Sequence, residues 1–376
     1  MRIVAFLLPA TFLFNTGAET TPEASSYSVG FRITHAADRT RSTSTYPEGR
    51  PVQISVWYPS AAGGTPLEFR DFVALSASEI ENAATPAAVA AAVEEYRRFL
   101  TGAGISAQEV DAWLSSKMRA TRDPLPVTGR FPLVLIAQGN GQSAHDQAFL
   151  AESLASRGYV VATTPSQARI DGPMKSEEDI TVQADAQAAD LAFAARKLRV
   201  GPGPRAGRYG IVAHSFGARS ALLLAMRDSD VGAIVSLDGG IGAKAGKGRL
   251  EKARGFDLAR GSVPLLHLYE EGDRFMVPDL EFLRSLSGPR WLVRVDGMRH
   301  AHFSSTGAMV KNAPSAAKAT SATPETAAAW DLVGVTTVSF LDRFLRDAAP
   351  LRAAWEPPAS PLLHTVNLSS TAKAER

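Results

Sequence analysis

The sequence predicts an α/β fold in which a mostly parallel sheet is covered on both faces by helices. Two patterns carry this expectation. From residue 131 onward, short apolar runs alternate with segments of helical period. The runs are apolar at every position rather than at alternate ones, as strands buried on both faces must be. A third observation concerns one junction. In RYGIVAHSFGARSALLL, an apolar run passes through His214-Ser215-Phe216-Gly217 directly into a helical stretch.

The elements follow in order. Tyr27–Thr34 is apolar on alternate positions, and PVQISVWY (51–58) reads as a strand. Residues 76–122 contain AAVAAAVEEYRRFL and AQEVDAWLSSKM, both of helical period and separated by Gly102-Ala103-Gly104. This is a helical insertion before the first core parallel strand. It is either a lid or a helical pair packed away from any site. FPLVLIA then reads as a buried strand, and HDQAFLAESLASRG as a helix closed by Gly158. YVVATT is a strand, Ile180–Leu198 a helix, RYGIVA a strand and Gly217–Arg227 a helix. GAIVSLD, VPLLHLY and RWLVRV are three further strands, and Asp331–Arg346 is a closing helix. Residues 350–376 are rich in Pro, Ala and Ser and read as a peripheral tail.

Composition bounds the function. The chain has 376 residues, 45% hydrophobic and 21% charged, enough for a large core. A net charge of +2 gives no field with which to recruit nucleic acid. Arg2, an apolar stretch from Ile3 to Phe14 and small residues up to Ala18 have the layout of a secretory signal peptide over 1–18. The expectation is an exported protein, periplasmic or secreted, with no stable membrane span once the signal is removed. Cysteine is absent from the sequence, so disulfides play no part in the fold.

Chemistry is expected at the junction. Parallel sheets present reactive groups at the carboxyl ends of their strands, and Ser215 stands there. Its neighbours two residues away must be small because strand and helix approach closely. Ala213 and Gly217 meet that need, making the motif A-x-S-x-G. A serine hydroxyl needs a base to take its proton and an acid to orient the base. Of the seven histidines, His300 and His302 in DGMRHAHF follow the last core strand, and His300 is the better placed. His214 adjoins the serine and is expected to point elsewhere. His267, inside VPLLHLY, reads as a packed strand residue. The His300–His302 pair has no obvious third ligand, so a metal site is not expected. Two acids compete, Asp238 at the end of GAIVSLD and Asp273 just after VPLLHLY. The oxyanion donors are expected to be the N–H groups of Phe216 and of Asn140, the latter in the loop QGNGQSAHD.

These segments together resemble a known superfamily. FPLVLIAQGNGQSAHDQAFLAESLASRGYVV, RYGIVAHSFGARSALLL, SLDGG and GMRHAHF are similar to the α/β-hydrolases. The nearest likeness is to the branch of platelet-activating-factor acetylhydrolase-like and dienelactone-hydrolase-like esterases, which VQISVWYPS also resembles. The likeness covers residues 27–348 and is weakest over 76–122. Leu237-Asp238 matches the acid of the acetylhydrolase-like branch, whereas Gly272-Asp273 matches that of many other α/β-hydrolases. Gly297, His300 and Phe303 fall on the G-x-x-H-x-x-F pattern. Gln138 and Ala213 depart from the common residues. The resemblance implies hydrolysis of a small-molecule carboxylic ester by Ser215, His300 and Asp238, without metal or organic cofactor. The alternatives are a non-catalytic hydrolase-fold binding protein, and a peptidase or C–C bond hydrolase with the same three residues.

Overall fold

The computed structural model describes residues 26–81, 83–199, 207–244, 249–346 and 354–366. The expected signal segment 1–18 lies outside the described residues, as does most of the tail. The strands are β1 (Ser28–Asp38), β2 (Arg50–Ser60), β3 (Pro66–Glu68), β4 (Lys117–Arg122), β5 (Leu133–Ala137), β6 (Val160–Thr163), β7 (Tyr209–His214), β8 (Val231–Leu237), β9 (Leu265–Tyr269), β10 (Arg290–Val295) and β11 (Leu363–Thr365). They form one sheet in the order β11-β10-β9-β8-β7-β5-β6-β2-β1-β4-β3. The six strands from β6 to β10 run parallel, and β2 joins them antiparallel through β6.

Helices that position the site are α1 (Phe69–Val73), α2 (Pro86–Gly102), α3 (Ala107–Leu114), α4 (Ala148–Ser156), α5 (Gln167–Asp171), α6 (Glu177–Arg199) and α7 (Gly217–Arg227). Two apolar cores result, one on each face of the sheet. Alternate residues of a strand point to opposite faces. Val134, Ile136 and Val212 therefore pack with Leu154 of α4 and with Phe340 and Leu341 of the closing helix Thr326–Leu341. Leu133, Leu135 and Ile211 pack instead with Leu191 of α6 and Leu222 of α7. Gly158 closes α4 at φ +83°, with the N–H of Tyr159 returning to the Leu154 carbonyl. No helix among the described residues is long and apolar enough to cross a membrane.

Two sequence expectations need correction. The span 76–122 is helical only in part: its last residues form β4, parallel to β1 inside the sheet. Met118 and Ala120 are buried there, while the charged residues between and beside them face outward. The tail also does more than lie at the periphery. Residues 363–365 pair with β10 as an edge strand, and the Trp355 ring packs on Trp291 and Phe340. A Pro- and Ala-rich stretch conceals so short a strand because its partner is supplied entirely by the tertiary fold.

His267 is a packed strand residue, 1% exposed, with Nδ1 2.9 Å from Ser236 Oγ. Burial lowers its pKa to about 3. In an unfolded chain histidine titrates near about 6.5. Between these two pH values only the unfolded state binds the proton. The stability linked to neutral His267 is therefore complete above about pH 6.5 and is lost as pH falls toward about 3. The expected slope is about 1.4 kcal/mol per pH unit. His267→Gln is expected to reduce the slope of unfolding free energy between pH 5 and 6 by about that amount in urea denaturation. An unchanged slope would mean that native His267 is already protonated.

Candidate active site

The turn after β7 holds Ser215 in a left-handed backbone conformation, φ +51°. L-residues are uncommon there, and the cost is of order 1–3 kcal/mol. The surroundings enforce it. The Ser215 N–H donates to the Leu237 carbonyl at 3.1 Å, and its own carbonyl accepts from Gly240 at 2.9 Å. Gly217 opens α7 against β5 so closely that a Cβ would lie 2.1 Å from the Ala137 carbonyl oxygen. Only glycine fits at this contact. Ala213, on β7, is fully buried and its methyl is accommodated.

Ser215, His300 and Asp238 form one chain of hydrogen bonds. The Ser215 hydroxyl donates to His300 Nε2 at 2.9 Å, and His300 Nδ1–H donates to Asp238 Oδ2 at 2.6 Å. That pairing assigns the proton of the neutral imidazole to Nδ1. Asp238 also sits at positive φ, +44°, at the end of β8, where its N–H donates to Leu268. Its carboxylate is buried. Burial pushes its pKa up, opposed by the hydrogen bond and charge of His300 and by the Glu270 N–H. His300 stands in the loop after Gly297, at φ +80°.

The competing residues are engaged elsewhere. Asp273 accepts the N–H of Phe275 at 3.0 Å. His302 is fully buried. Its Nδ1 accepts the Arg299 N–H at 3.0 Å, and Nε2 donates to Thr320 Oγ1 at 2.9 Å. Burial and the nearby Arg299 lower its pKa to about 4.

The loop after β5 is fastened on either side of Asn140. Gly139 N–H donates to Gln142 Oε1 at 2.8 Å, and Gly141 N–H to Ser166 Oγ at 2.9 Å. Among the described residues, nothing accepts a hydrogen bond from the N–H of Asn140 or of Phe216. Asn140 is exposed, whereas Phe216 is buried.

Sequence reasoning misjudged His214. It does not turn away from the site: its ring stacks on His300, centroids 4.9 Å apart and planes at 29°. Nδ1 lies 2.8 Å from Gln142 Oε1, and Nε2 lies 3.2 Å from the His300 carbonyl oxygen. His214 thus ties the loop after β5 to the loop that bears His300. Burial first, then the neighbouring His300, lower its pKa to about 3, so it is neutral at ordinary pH. Gln142 and Glu270 were also missed. Nothing local to either residue marks it, since each acts on a loop distant in sequence.

The helical pair α2–α3 packs on the core rather than on the hydrogen-bonded chain. Trp113 stacks on Phe149 at 5.1 Å, and Tyr96 meets His145 edge-on at 5.0 Å. Among the described residues, no ring contact or hydrogen bond joins α2 or α3 to Ser215, Asp238 or His300. A cavity of about 720 Å³ lies beside this pair, lined by Trp113, Phe149, Phe303 and Trp330. None of Ser215, Asp238 and His300 lines it.

The order of strands, the turn and the relation of its three side chains can be set beside solved structures. The chain is similar to a ferulic acid esterase from Streptomyces cinnamoneus, with a TM-score of 0.63 over 93% of this chain and 98% of that one. This chain has the α/β-hydrolase fold. Sequence identity in that comparison is 20%, so the likeness concerns the fold alone. No protein-family model matches the chain, and no curated protein matches its sequence. Within the α/β-hydrolase fold, Ser215 occupies the strand-to-helix turn after β7, and Asp238 and His300 stand on the loops after β8 and β10. The arrangement can pass a proton from a hydroxyl to an imidazole and stabilise the resulting imidazolium with a carboxylate.

Proposed function

We propose that the protein is a serine hydrolase that cleaves carboxylic esters through Ser215, His300 and Asp238. The observation that carries this reading is the continuous chain Ser215–His300–Asp238, at 2.9 and 2.6 Å, set on a strained turn. A structural serine has no need of a left-handed backbone or of a base at hydrogen-bond distance. The resemblance of Leu237-Asp238 and of Gly297, His300 and Phe303 to acetylhydrolase-like esterases supports the same reading. So does the fold shared with a protein described as a ferulic acid esterase.

The chemistry follows from the geometry. His300 Nε2 takes the Ser215 proton as Oγ attacks the ester carbonyl. Asp238 holds the imidazole by Nδ1–H and stabilises it once charged. The N–H groups of Asn140 and Phe216 face the oxygen that becomes negative, aided by the N-terminus of α7. The imidazolium then gives its proton to the leaving alcohol. Water, activated by the same histidine, releases the acid and restores the enzyme.

A fluorophosphonate probe tests this directly, because it reacts quickly only with an activated serine. The expected result is one covalent adduct per chain, located on Ser215 by peptide mass spectrometry, together with hydrolysis of p-nitrophenyl acetate. A folded protein that neither reacts nor hydrolyses the ester would be a binding protein with a hydrolase fold. Labelling with cleavage of peptides but not esters would favour a peptidase.

A further inference from the structure

The loop that follows β9 holds an apolar side chain in solvent beside His300. Phe275 is 75% exposed, and its ring centroid lies 5.6 Å from that of His300, with the planes 59° apart. Val277, two residues on, is 57% exposed. Scattered exposed apolar residues are ordinary on protein surfaces. Phe275 differs from them in two respects, its neighbour and its anchoring.

The anchoring begins at Glu270. This residue is buried, and its carboxylate accepts the N–H groups of Gly272 at 2.6 Å and Asp273 at 2.9 Å. Asp273 Oδ1 accepts the Phe275 N–H in turn. Beyond the exposed residues, the Asp279 N–H donates to the Gly242 carbonyl at 2.7 Å, and Ala243 bridges Pro278. The loop is therefore tied down on both sides of Phe275, one tie reaching the segment that follows Asp238. An aromatic ring is kept in place against the imidazole edge of the site while most of its surface remains wet.

The direction of the chemistry says what meets that ring. During acyl transfer the carbonyl oxygen lies toward the N–H groups of Asn140 and Phe216. The leaving oxygen must lie toward His300 Nε2, which protonates it. A surface resting on His300 thus faces the alcohol half of the ester rather than the acyl half. Resting on the esterase reading above, the geometry points to Phe275 as the residue that selects the alcohol. The alcohol it favours is apolar, aryl-alkyl or alkyl, and packs on the Phe275 ring with Val277 extending the surface. Water leaves both partners when such a group binds, and a small alcohol forgoes that gain.

The test compares kcat/KM for methyl acetate, benzyl acetate and methyl hexanoate in the wild type, Phe275→Ala and Phe275→Trp. In Phe275→Ala the benzyl-to-methyl ratio at constant acetyl is expected to fall roughly tenfold or more, while the hexanoate-to-acetate ratio changes less than about twofold. Phe275→Trp is expected to keep the benzyl preference, since it restores an aromatic surface. Three results would overturn the inference. Equal losses on both acetates would mean that Phe275 only steadies His300. A loss that follows the acyl chain would place it on the acyl side. An unchanged benzyl-to-methyl ratio would leave it without a substrate contact. Fluorophosphonate labelling of the same wild-type sample separates the two levels. A wild type that is unlabelled and turns over no ester removes the esterase reading and this inference with it. A labelled wild type with any of the three results removes the inference alone.

Discussion

Ser215→Ala is expected to lower ester turnover by about 10⁴- to 10⁶-fold while leaving the fold intact. The size follows from the way the three residues work as a unit. In the proposed mechanism, loss of Oγ removes the covalent intermediate and leaves only water held near the proposed oxyanion donors. The fold is expected to survive because the strain at Ser215 is a property of the backbone. Alanine carries the same Cβ and pays a similar cost at φ +51°. The backbone bonds to Leu237 and Gly240 are untouched by the change. His300 supplies the companion variant. His300→Ala leaves the buried Asp238 carboxylate short of a donor, so some loss of stability is expected beside the loss of activity. His300→Gln offers an N–H to Asp238 but no base to Ser215, and it is expected to be nearly as inactive as alanine. Circular dichroism and the thermal midpoint, measured beside kcat, keep folding and chemistry apart. A Ser215→Ala protein that is folded and turns over ester near the wild-type rate would remove Ser215 as the nucleophile.

How far this site was legible differs from residue to residue, and the reason is range. The core strands were legible because burial on both faces leaves a local mark, as in Leu133–Ala137, apolar at every position. The turn at Ser215 was legible because Gly217 must be small for a contact within a few residues of it. His214 was misjudged because alternation along β7 says little about a residue at the strand's last position, where the chain is already turning. Its stacking partner lies 86 residues away. The short strands β4 and β11 escaped for a related reason. Lys117–Arg122 carries only two buried side chains, and Leu363–Thr365 has none. Their place in the sheet is set by β1 and β10. The burial of Glu270, which fastens the loop bearing Phe275, left no trace in a segment reading Glu-Glu-Gly-Asp.

The acid was the point that spacing alone left open, and it yields the second large effect. Asp238→Asn is expected to reduce kcat by about 10³- to 10⁴-fold, whereas Asp273→Asn is expected to stay close to wild type. Asp238 and Asp273 follow adjacent parallel strands, β8 and β9, so both stand at the same edge of the sheet. Only Asp238 reaches His300 Nδ1, at 2.6 Å. An asparagine there fits the positive φ, which Asn tolerates better than most residues. What it lacks is charge. The amide cannot stabilise the imidazolium that forms as Ser215 is deprotonated, and its NH₂ can compete for the imidazole nitrogen and favour the wrong tautomer. At Asp273 the carboxylate oxygen accepts the Phe275 N–H, and an amide oxygen does this equally well. Steady-state kinetics on one ester, with both variants checked for folding, decides between them. Severe loss in Asp273→Asn with Asp238→Asn near wild type would mean that the loop after β9 swings inward on substrate binding and that Asp273 takes over the imidazole. The observed ties make such a swing costly, since Glu270, Gly242 and Pro278 would each have to release a backbone partner.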